Sequence, residues 1–390
     1  MNKTEERPRA RDLGIVIGTM KPGPLNAITD VAGVGVGHTT LISGAGPMTV
    51  GEGPVRTGVT IVQPHEGDVW AEPVFAAPHT LNGNGEMTGL EWVRESGMLT
   101  TPIGLTNTHS VGVVRDALIQ DQVRRLGPDA TPWGLPVVAE TWDGRLNDIN
   151  GFHVRAEHVF DALDSVSRGE VEEGSVGGGT GMVSFGFKAG IGTASRVVDT
   201  GPGSHVLGVL VQANFGRRER FTVGGIPVGR VLTEERIPLP GEPVETGSVI
   251  VIAATDAPLL PHQCARVAQR IGLGIGRIGG AGGNSSGDIF LCFATGNRGL
   301  SASELGPPSR PTLSLEMLDD GLIDGLFNAV IEATEEAVVN AILAAPTMTG
   351  RDGVTAHELP ADQLVDILAA GWSPLAGRSN ALERPRSTSN

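Results

Sequence analysis

The chain has 390 residues, of which 39% are hydrophobic, so it can bury a large core in one domain or in two closely packed ones. Its formal net charge of −15 argues against a nucleic-acid partner, because phosphate contacts require clustered lysine and arginine. No stretch is apolar enough for a membrane span or a signal peptide, so we expect a cytoplasmic protein with frayed polar ends at residues 1–12 and 378–390.

The first third of the chain alternates strand-like and helix-like segments. β-Branched residues separated by glycines predict two short strands within residues 26–41, and residues 58–64 predict another strand. Residues 81–86 read as a loop and residues 102–108 as a strand. Residues 87–96 predict a short helix with one buried face, and residues 111–126 predict a helix rich in valine, leucine and isoleucine. His65, Glu66 and Asp68 lack a second ligand cluster at helical spacing, so no metal site is predicted there.

A polar turn follows the next predicted strand, within residues 136–148. It contains Glu140, Trp142 and Asp143 at the end of a strand, which is a favoured position for a functional site. A solvated turn with local side-chain hydrogen bonds is the simpler interpretation of the same residues. A helix is predicted at residues 154–167.

Two glycine-rich stretches match nucleotide-binding motifs only in part. Residues 177–182 lack the order of a phosphate loop because Lys188 lies too far along the chain. Residues 274–279 match Gly-x-Gly-x-x-Gly, but they follow a helix predicted at 258–271, whereas a dinucleotide motif follows a strand. No cofactor is therefore predicted, and Cys264 and Cys292 are interpreted as packed thiols.

The second half of the chain contains three apolar strands and a long helix. Residues 206–216 predict a strand after a hairpin at 184–196, and Asn214 is either an oxyanion donor or an ordinary asparagine at a strand end. Residues 246–256 and 289–294 predict buried strands. Helices are predicted at 317–345 and 356–370, and local sequence favours a solvated helix face for Glu335 and Glu336.

Residues 279–293 form the most unusual stretch, in which a run of glycines ends at Ser285 and Ser286 just before an apolar strand. If Ser286 attacked the carbonyl of Ser285 and the resulting ester were hydrolysed, Ser286 would become a new N-terminus. Its α-amine, with a pKa of about 7.7–8.0 against about 10.4 for lysine, would suit a general base beside the hydroxyl nucleophile. A loop leading into a strand is the alternative on local sequence alone.

Five segments together carry a resemblance to one family: residues 26–31, 139–143, 146–151, 253–258 and 286–290. The chain resembles the L-aminopeptidase D-amidase/D-esterase and β-peptidyl aminopeptidase family over about residues 26–350. The resemblance implies a self-processing N-terminal-nucleophile hydrolase with an α+β fold, a four-layer αββα sandwich. Cleavage between Ser285 and Ser286 would give a large α segment, 1–285, and a small β segment, 286–390, in one domain. The doubled serine leaves this position open by one residue.

The resemblance also implies roles for individual residues. Ser286 matches the nucleophile, Asn214 the amide that stabilises the oxyanion, and Glu140 is the expected acceptor for the substrate ammonium. Thr334 and Glu336 match a hydroxyl and a carboxylate near the nucleophile, where the family more often has serine in place of Thr334.

Trp142 stands where some members have a tyrosine, and an indole N–H cannot act as a phenol. The chain contains no tyrosine at all, which excludes a phenolic catalytic group.

The expected function is release of N-terminal amino acids from short peptides, amides or esters by a homo-oligomer without metal or cofactor. Substrates with α-amino or β-amino groups, and with L or D configuration, remain open. An unprocessed small-molecule-binding protein with the same fold is the alternative.

Overall fold

The computed structural model describes residues 7–127, 129, 131–201, 203–241, 247–301 and 312–371. Its strands are β1 (Gly35–Ser43), β2 (Val55–Gln63), β3 (Val74–Gly83), β4 (Met98–Leu99), β5 (Ile103–Asn107), β6 (Val137–Thr141), β7 (Val183–Ser184), β8 (Phe187–Lys188), β9 (Ile191–Asp199), β10 (Ser204–Asn214), β11 (Ser248–Thr255), β12 (Gly287–Ala294), β13 (Met348–Thr349) and β14 (Thr355–Ala356). Its α-helices are α1 (Leu90–Ser96), α2 (Val111–Leu126), α3 (Ala156–Asp164), α4 (Pro261–Arg277), α5 (Ile323–Leu343) and α6 (Ala361–Ala370).

Two sheets form the middle of the molecule. One has four strands in the order β1-β2-β5-β6, and the other has six in the order β4-β3-β12-β11-β10-β9. Helices α2 and α3 pack on the four-stranded sheet, and α4 and α5 pack on the six-stranded sheet. The layers are therefore helix, sheet, sheet and helix, which confirms the predicted αββα sandwich.

The strand β12 shows how the sequence generates these layers. Side chains along a strand point alternately to its two faces. Ile289 and Leu291 belong to the apolar cluster between the two sheets, whereas Phe290 and Cys292 belong to the cluster under α4 and α5. All eight residues of β12 are buried, because the strand lies between β3 and β11 and is covered on both faces.

Several predicted elements are confirmed. Helix α2 has the predicted limits, and α5 lies within the predicted residues 317–345, while α1, α3 and α6 are shorter than predicted. Cys264 and Cys292 are buried free thiols, as predicted.

Other predictions were wrong. Residues 26–41 contain a single 3₁₀ turn, Ile28–Asp30, and the first part of β1 in place of two strands. Strand β3 was not predicted and takes in part of the expected loop at 81–86. Helix α4 runs on to Arg277, so the first two glycines of the Gly-x-Gly-x-x-Gly match lie inside a helix and cannot form a dinucleotide loop.

The predicted fraying of residues 1–12 was also wrong where the structure describes them. Arg9 pairs with Glu173 at 2.6 Å and Arg11 pairs with Glu336 at 2.8 Å, so residues 7–12 are held against the body of the protein. Residues 1–6 and 378–390 lie outside the described residues.

Candidate active site

Ser286 lies at the entrance to β12, immediately after a tight turn. Asn284 and Ser285 occupy the turn, which is closed by a hydrogen bond of 2.9 Å from the Ser286 backbone N–H to the Gly283 carbonyl oxygen. Ser286 is 7% exposed and lines a cavity of about 280 Å³. The predicted scissile bond therefore lies between a turn and the central strand of the larger sheet.

The cavity brings together three of the predicted site residues. Asn214 at the end of β10, Trp142 just after β6 and Ser286 all contribute to its wall. The strand register explains why Asn214 and Ser286 lie close together. Asn214 on β10 pairs with Ser248 at the start of β11, and the next residue, Val249, pairs with Asp288 on β12. The ends of neighbouring strands thus place the amide and the hydroxyl at one edge of the sheet.

The Asn214 side chain is held by hydrogen bonds at both polar atoms. Its Nδ2 donates to the Trp142 carbonyl oxygen at 3.0 Å, and its Oδ1 accepts from the Val183 backbone N–H at 3.0 Å. An amide nitrogen carries two hydrogens, so the bond to Trp142 leaves a second donor for a bound oxyanion. The orientation of this donor is fixed before any substrate binds.

Trp142 forms a partly exposed wall of the cavity, with 37% of its surface accessible. A methyl group built on Gly144 would lie 2.6 Å from Trp142 Cζ2, so the indole can occupy its position only because residue 144 has no side chain.

Glu140 does not line this cavity, but it lies near Gly287, the residue that follows Ser286. Its Oε1 accepts from the Glu86 backbone N–H at 3.0 Å, and its Oε2 accepts from the Thr108 hydroxyl. A methyl group built on Gly85 would lie 2.9 Å from Gly287 Cα and 3.2 Å from Glu140 Oε1. Burial raises the pKa of Glu140, while the two hydrogen bonds oppose that shift. The backbone of Gly85 thus lies between the Glu140 carboxylate and Gly287 at the start of β12.

Thr334 and Glu336 lie on α5 and do not line the cavity. Residues two positions apart on a helix point about 200° away from each other. Thr334 faces α4, where a methyl group built on Gly274 would lie 2.8 Å from its Cβ. Glu336 faces β9 and accepts from Arg196 Nη2 at 2.7 Å, and it also contacts Arg11 and Asn26. Their role near the nucleophile stays a prediction.

The interpretation of Glu335 and Glu336 as a solvated helix face was wrong. Both side chains are fully buried, and Glu335 pairs with Arg277 at 2.8 Å. Arginines from other parts of the chain compensate these buried charges. A local sequence pattern cannot identify such partners, because they are distant in the sequence.

Two residues that contact the predicted scissile segment were missed by the sequence analysis. Asp288 Oδ1 accepts a hydrogen bond of 2.5 Å from Ser286 Oγ, and Asn84 Nδ2 donates at 2.8 Å to the Ser285 carbonyl oxygen. The alternation of a strand could have identified Asp288, because residues i and i+2 share a face. The loop sequence around Asn84 gave no comparable indication.

The structure describes no cluster suited to a metal ion. Both ring nitrogens of His65 are within hydrogen-bond distance of backbone carbonyls, those of Glu66 at 2.6 Å and Glu72 at 2.7 Å. No group of three or more histidine, cysteine, aspartate or glutamate residues in the described ranges could hold a metal. Within those ranges, no helix combines the length and apolar character needed to cross a membrane.

The αββα sandwich is the fold of the N-terminal-nucleophile hydrolases, and Ser286 immediately precedes one of its central strands. The chain belongs to Peptidase family S58, whose family model matches residues 26–356. This confirms the resemblance found in the sequence, and the protein is a hydrolase of the serine aminopeptidase class.

Individual relatives agree with this assignment. The chain is 48% identical to beta-peptidyl aminopeptidase BapA from Sphingosinicella microcystinivorans over 378 residues, 93% of this chain and 92% of the relative. A beta-aminopeptidase from Burkholderia sp. is 51% identical, with a TM-score of 0.87 over 94% of this chain and 100% of that one. The L-aminopeptidase D-Ala-esterase/amidase from Ochrobactrum anthropi, described as a variant of the Ntn hydrolase fold, is 45% identical, with a TM-score of 0.85 over 93% and 99% of the two chains.

Proposed function

We propose that the chain cleaves itself between Ser285 and Ser286 and then uses Ser286 as an N-terminal nucleophile. The α-amine of Ser286 takes the proton from its own Oγ, which attacks the substrate carbonyl. Asn214 Nδ2 stabilises the tetrahedral oxyanion. The leaving amine departs with the proton, and water then releases the acyl group from the serine ester. The observation that carries this proposal is the placement of Ser286 and Asn214 in the wall of one cavity.

Glu140 supplies the counter-charge for the free ammonium of the substrate, which restricts the enzyme to substrates with an unblocked N-terminus. It lies one glycine backbone away from the strand that begins after Ser286. Thr334 and Glu336 assist the nucleophile, as the family resemblance implies.

We propose β-amino substrates in preference to α-amino ones. Three relatives named as beta-peptidyl aminopeptidase or beta-aminopeptidase are 51%, 48% and 45% identical to this chain, and the L-aminopeptidase is 45% identical. Hydrolysis of β-alanyl and L-alanyl amides, compared at equal concentration, tests the preference, and faster turnover of the L-alanyl amide would overturn it. From the family resemblance we propose a homo-oligomer, which light scattering would test. From the sequence pattern we propose a cytoplasmic location, which fractionation would test.

The decisive experiment is intact mass and N-terminal sequencing of the purified wild type, Ser286→Ala and Ser285→Ala. We expect two fragments in the wild type, the smaller beginning at Ser286, and a single chain in Ser286→Ala. Cleavage that survives in Ser285→Ala fixes the position of the cut. A wild-type chain that stays intact at 40.4 kDa would overturn self-activation and favour a binding protein.

A further inference from the structure

The α-amine proposed as the base does not exist before cleavage. In the uncut chain the nitrogen of Ser286 belongs to the peptide bond with Ser285, and an amide nitrogen has no lone pair available to accept a proton. Self-cleavage therefore needs a different base, and it needs an oxyanion donor at the Ser285 carbonyl. The structure supplies a candidate for each.

Asp288 contacts the attacking atom. Its Oδ1 lies 2.5 Å from Ser286 Oγ, and its side chain is 2% exposed. Both residues are on the same face of the strand entrance, with only Gly287 between them. Burial raises the pKa of Asp288, while the Ser286 hydroxyl and the Val249 backbone oppose the shift. The charged side chains that line the cavity around this carboxyl are Arg145, Arg217, Arg218, Glu219, Arg220 and Glu234.

Asn84 contacts the carbonyl that would be attacked. Its Nδ2 donates at 2.8 Å to the Ser285 carbonyl oxygen, and its backbone N–H donates at 3.1 Å to the Ser286 carbonyl oxygen. The loop after β3 is thus attached to both sides of the Ser285–Ser286 bond. Asn82, two residues earlier in the chain, donates instead to the Gly283 carbonyl oxygen.

We propose that Asp288 and Asn84 catalyse the self-cleavage and that Asn214 serves the later hydrolysis of substrates. This inference rests on the proposed function. The chain then has two sets of groups around one nucleophile, one for the peptide bond before Ser286 and one for bonds in bound substrates.

The step balances without any added reactant except water. Asp288 takes the proton from Ser286 Oγ while Oγ bonds to the Ser285 carbonyl carbon, and Asn84 Nδ2 donates to the developing oxyanion. Protonation of the Ser286 nitrogen by Asp288 lets the C–N bond break, which leaves an ester between Ser285 and Ser286 Oγ. Water hydrolyses this ester to a Ser285 carboxylate and a free N-terminal Ser286.

The two residues differ in what they do after the cut. Asn84 Nδ2 contacts an oxygen that becomes part of the new C-terminal carboxylate, so its loss should slow processing and spare turnover by the processed enzyme. Asp288 stays beside Ser286 Oγ, so its loss can affect both steps. Asn84 is therefore the cleaner test.

The test is a pulse–chase of the full chain in cell-free synthesis, with the fragments followed by intact mass. We expect Asn84→Ala to slow fragment formation by about 10²–10³-fold, as for removal of one oxyanion donor. Asp288→Asn, which cannot take the proton, should slow it by about 10²–10⁴-fold. Asn82→Ala is the matched control and should process within about threefold of the wild type. Asn84→Asp keeps the shape of the side chain and removes only the donor, so it tests the donor even if alanine disturbs the loop.

Two further readouts separate catalysis from a structural effect. The wild-type cleavage rate should fall at acid pH as the carboxylate is protonated, and Asp288→Asn should lack this limb. Turnover per processed Asn84→Ala molecule should match the wild type. If the wild type cleaves and both Asn84 variants process as fast as Asn82→Ala, the assignment is overturned while self-cleavage stands. A wild type that never cleaves would overturn the proposed function and this inference together.

Discussion

Arg196 and Glu336 form an ion pair of 2.7 Å in which neither side chain has any exposed surface. Arg196 also pairs with Glu332 at 3.1 Å, and Arg11 reaches Glu336 from the start of the chain. The network joins α5, β9 and the first residues of the protein. Removing one member of a buried ion pair costs stability, because the other charge is left without its partner.

Glu336→Gln should lower the free energy of unfolding by about 3–5 kcal/mol, because the buried Arg196 loses a charged partner. Urea denaturation measures the change. Glu358→Gln, which removes a partly exposed pair with Arg7, is the matched control and should change stability by less than about 1 kcal/mol. Unchanged stability with a large loss of turnover would instead support the predicted role of Glu336 near the nucleophile.

Asn214→Asp should reduce kcat by about 10²–10³-fold, because the acceptor at Oδ1 is kept while the oxyanion donor is lost. The measurement is steady-state hydrolysis by the processed protein, normalised to the small segment. Asn297→Asp changes a buried amide that does not line the cavity and should leave kcat near the wild-type value. Equal effects of the two variants would contradict an oxyanion role.

Trp142→Ala should raise KM about tenfold, a loss of about 1.4 kcal/mol, since the indole forms part of the cavity wall. Fragment formation should be unaffected, because the scissile bond carries its own contacts. Trp133→Ala removes an indole that does not line this cavity and serves as the control. The idea fails if processing slows as much as substrate binding weakens.

Glu140→Gln should raise KM for substrates with a free amine, because the ammonium loses its counter-charge. Burial raises the pKa of Glu140, so activity that depends on its ionised form should fall as the pH drops through a value above that of an ordinary glutamate. The variant should lack this part of the pH profile. A profile of kcat/KM from pH 4 to 9 for both proteins checks the prediction, and identical profiles would contradict it.

Asp143→Asn should change how stability depends on pH. Burial raises the pKa of Asp143 to about 7, against hydrogen bonds from Thr57, Asn147 and Asn107. The protonated side chain therefore favours the folded state below an ordinary aspartate pKa, and this contribution is lost as the pH rises through about 7. Relative to the wild type, the variant should gain roughly 1.4 kcal/mol per pH unit from about pH 4 to 7. Denaturation at several pH values checks this, with exposed Asp164→Asn as a control.

The helices and strands that dominate the fold could be predicted from local sequence. The apolar runs of β11 and β12 have no alternation because both faces are covered. The helix α2 was predicted from a segment rich in valine, leucine and isoleucine. Ser286 was identified because glycines before a hydroxyl and a strand are unusual. Its assignment as a nucleophile depended on the family resemblance.

What the sequence could not show depends on contacts between distant segments. Strand β3 contains Pro78 and ends in an Asn-Gly pair, so its pairing with β12 had no local pattern to reveal it. Glu335 and Glu336 looked solvated because their arginine partners, Arg277 and Arg196, come from other elements. Asn84 lies about two hundred residues from the Ser285–Ser286 bond that it contacts. A periodic sequence pattern relates only neighbouring residues, so it could not reveal this contact.

The position of β12 between β3 and β11 has a consequence for a chain that has been cut. A break at Ser285 would turn one polypeptide into a complex of two, held together by backbone pairing on both sides of the new terminus. The pieces could separate only if β12 lost its pairing with both β3 and β11. Refolding would then be a second-order reaction, so recovery from denaturation would depend on protein concentration in the mature enzyme and not in its precursor.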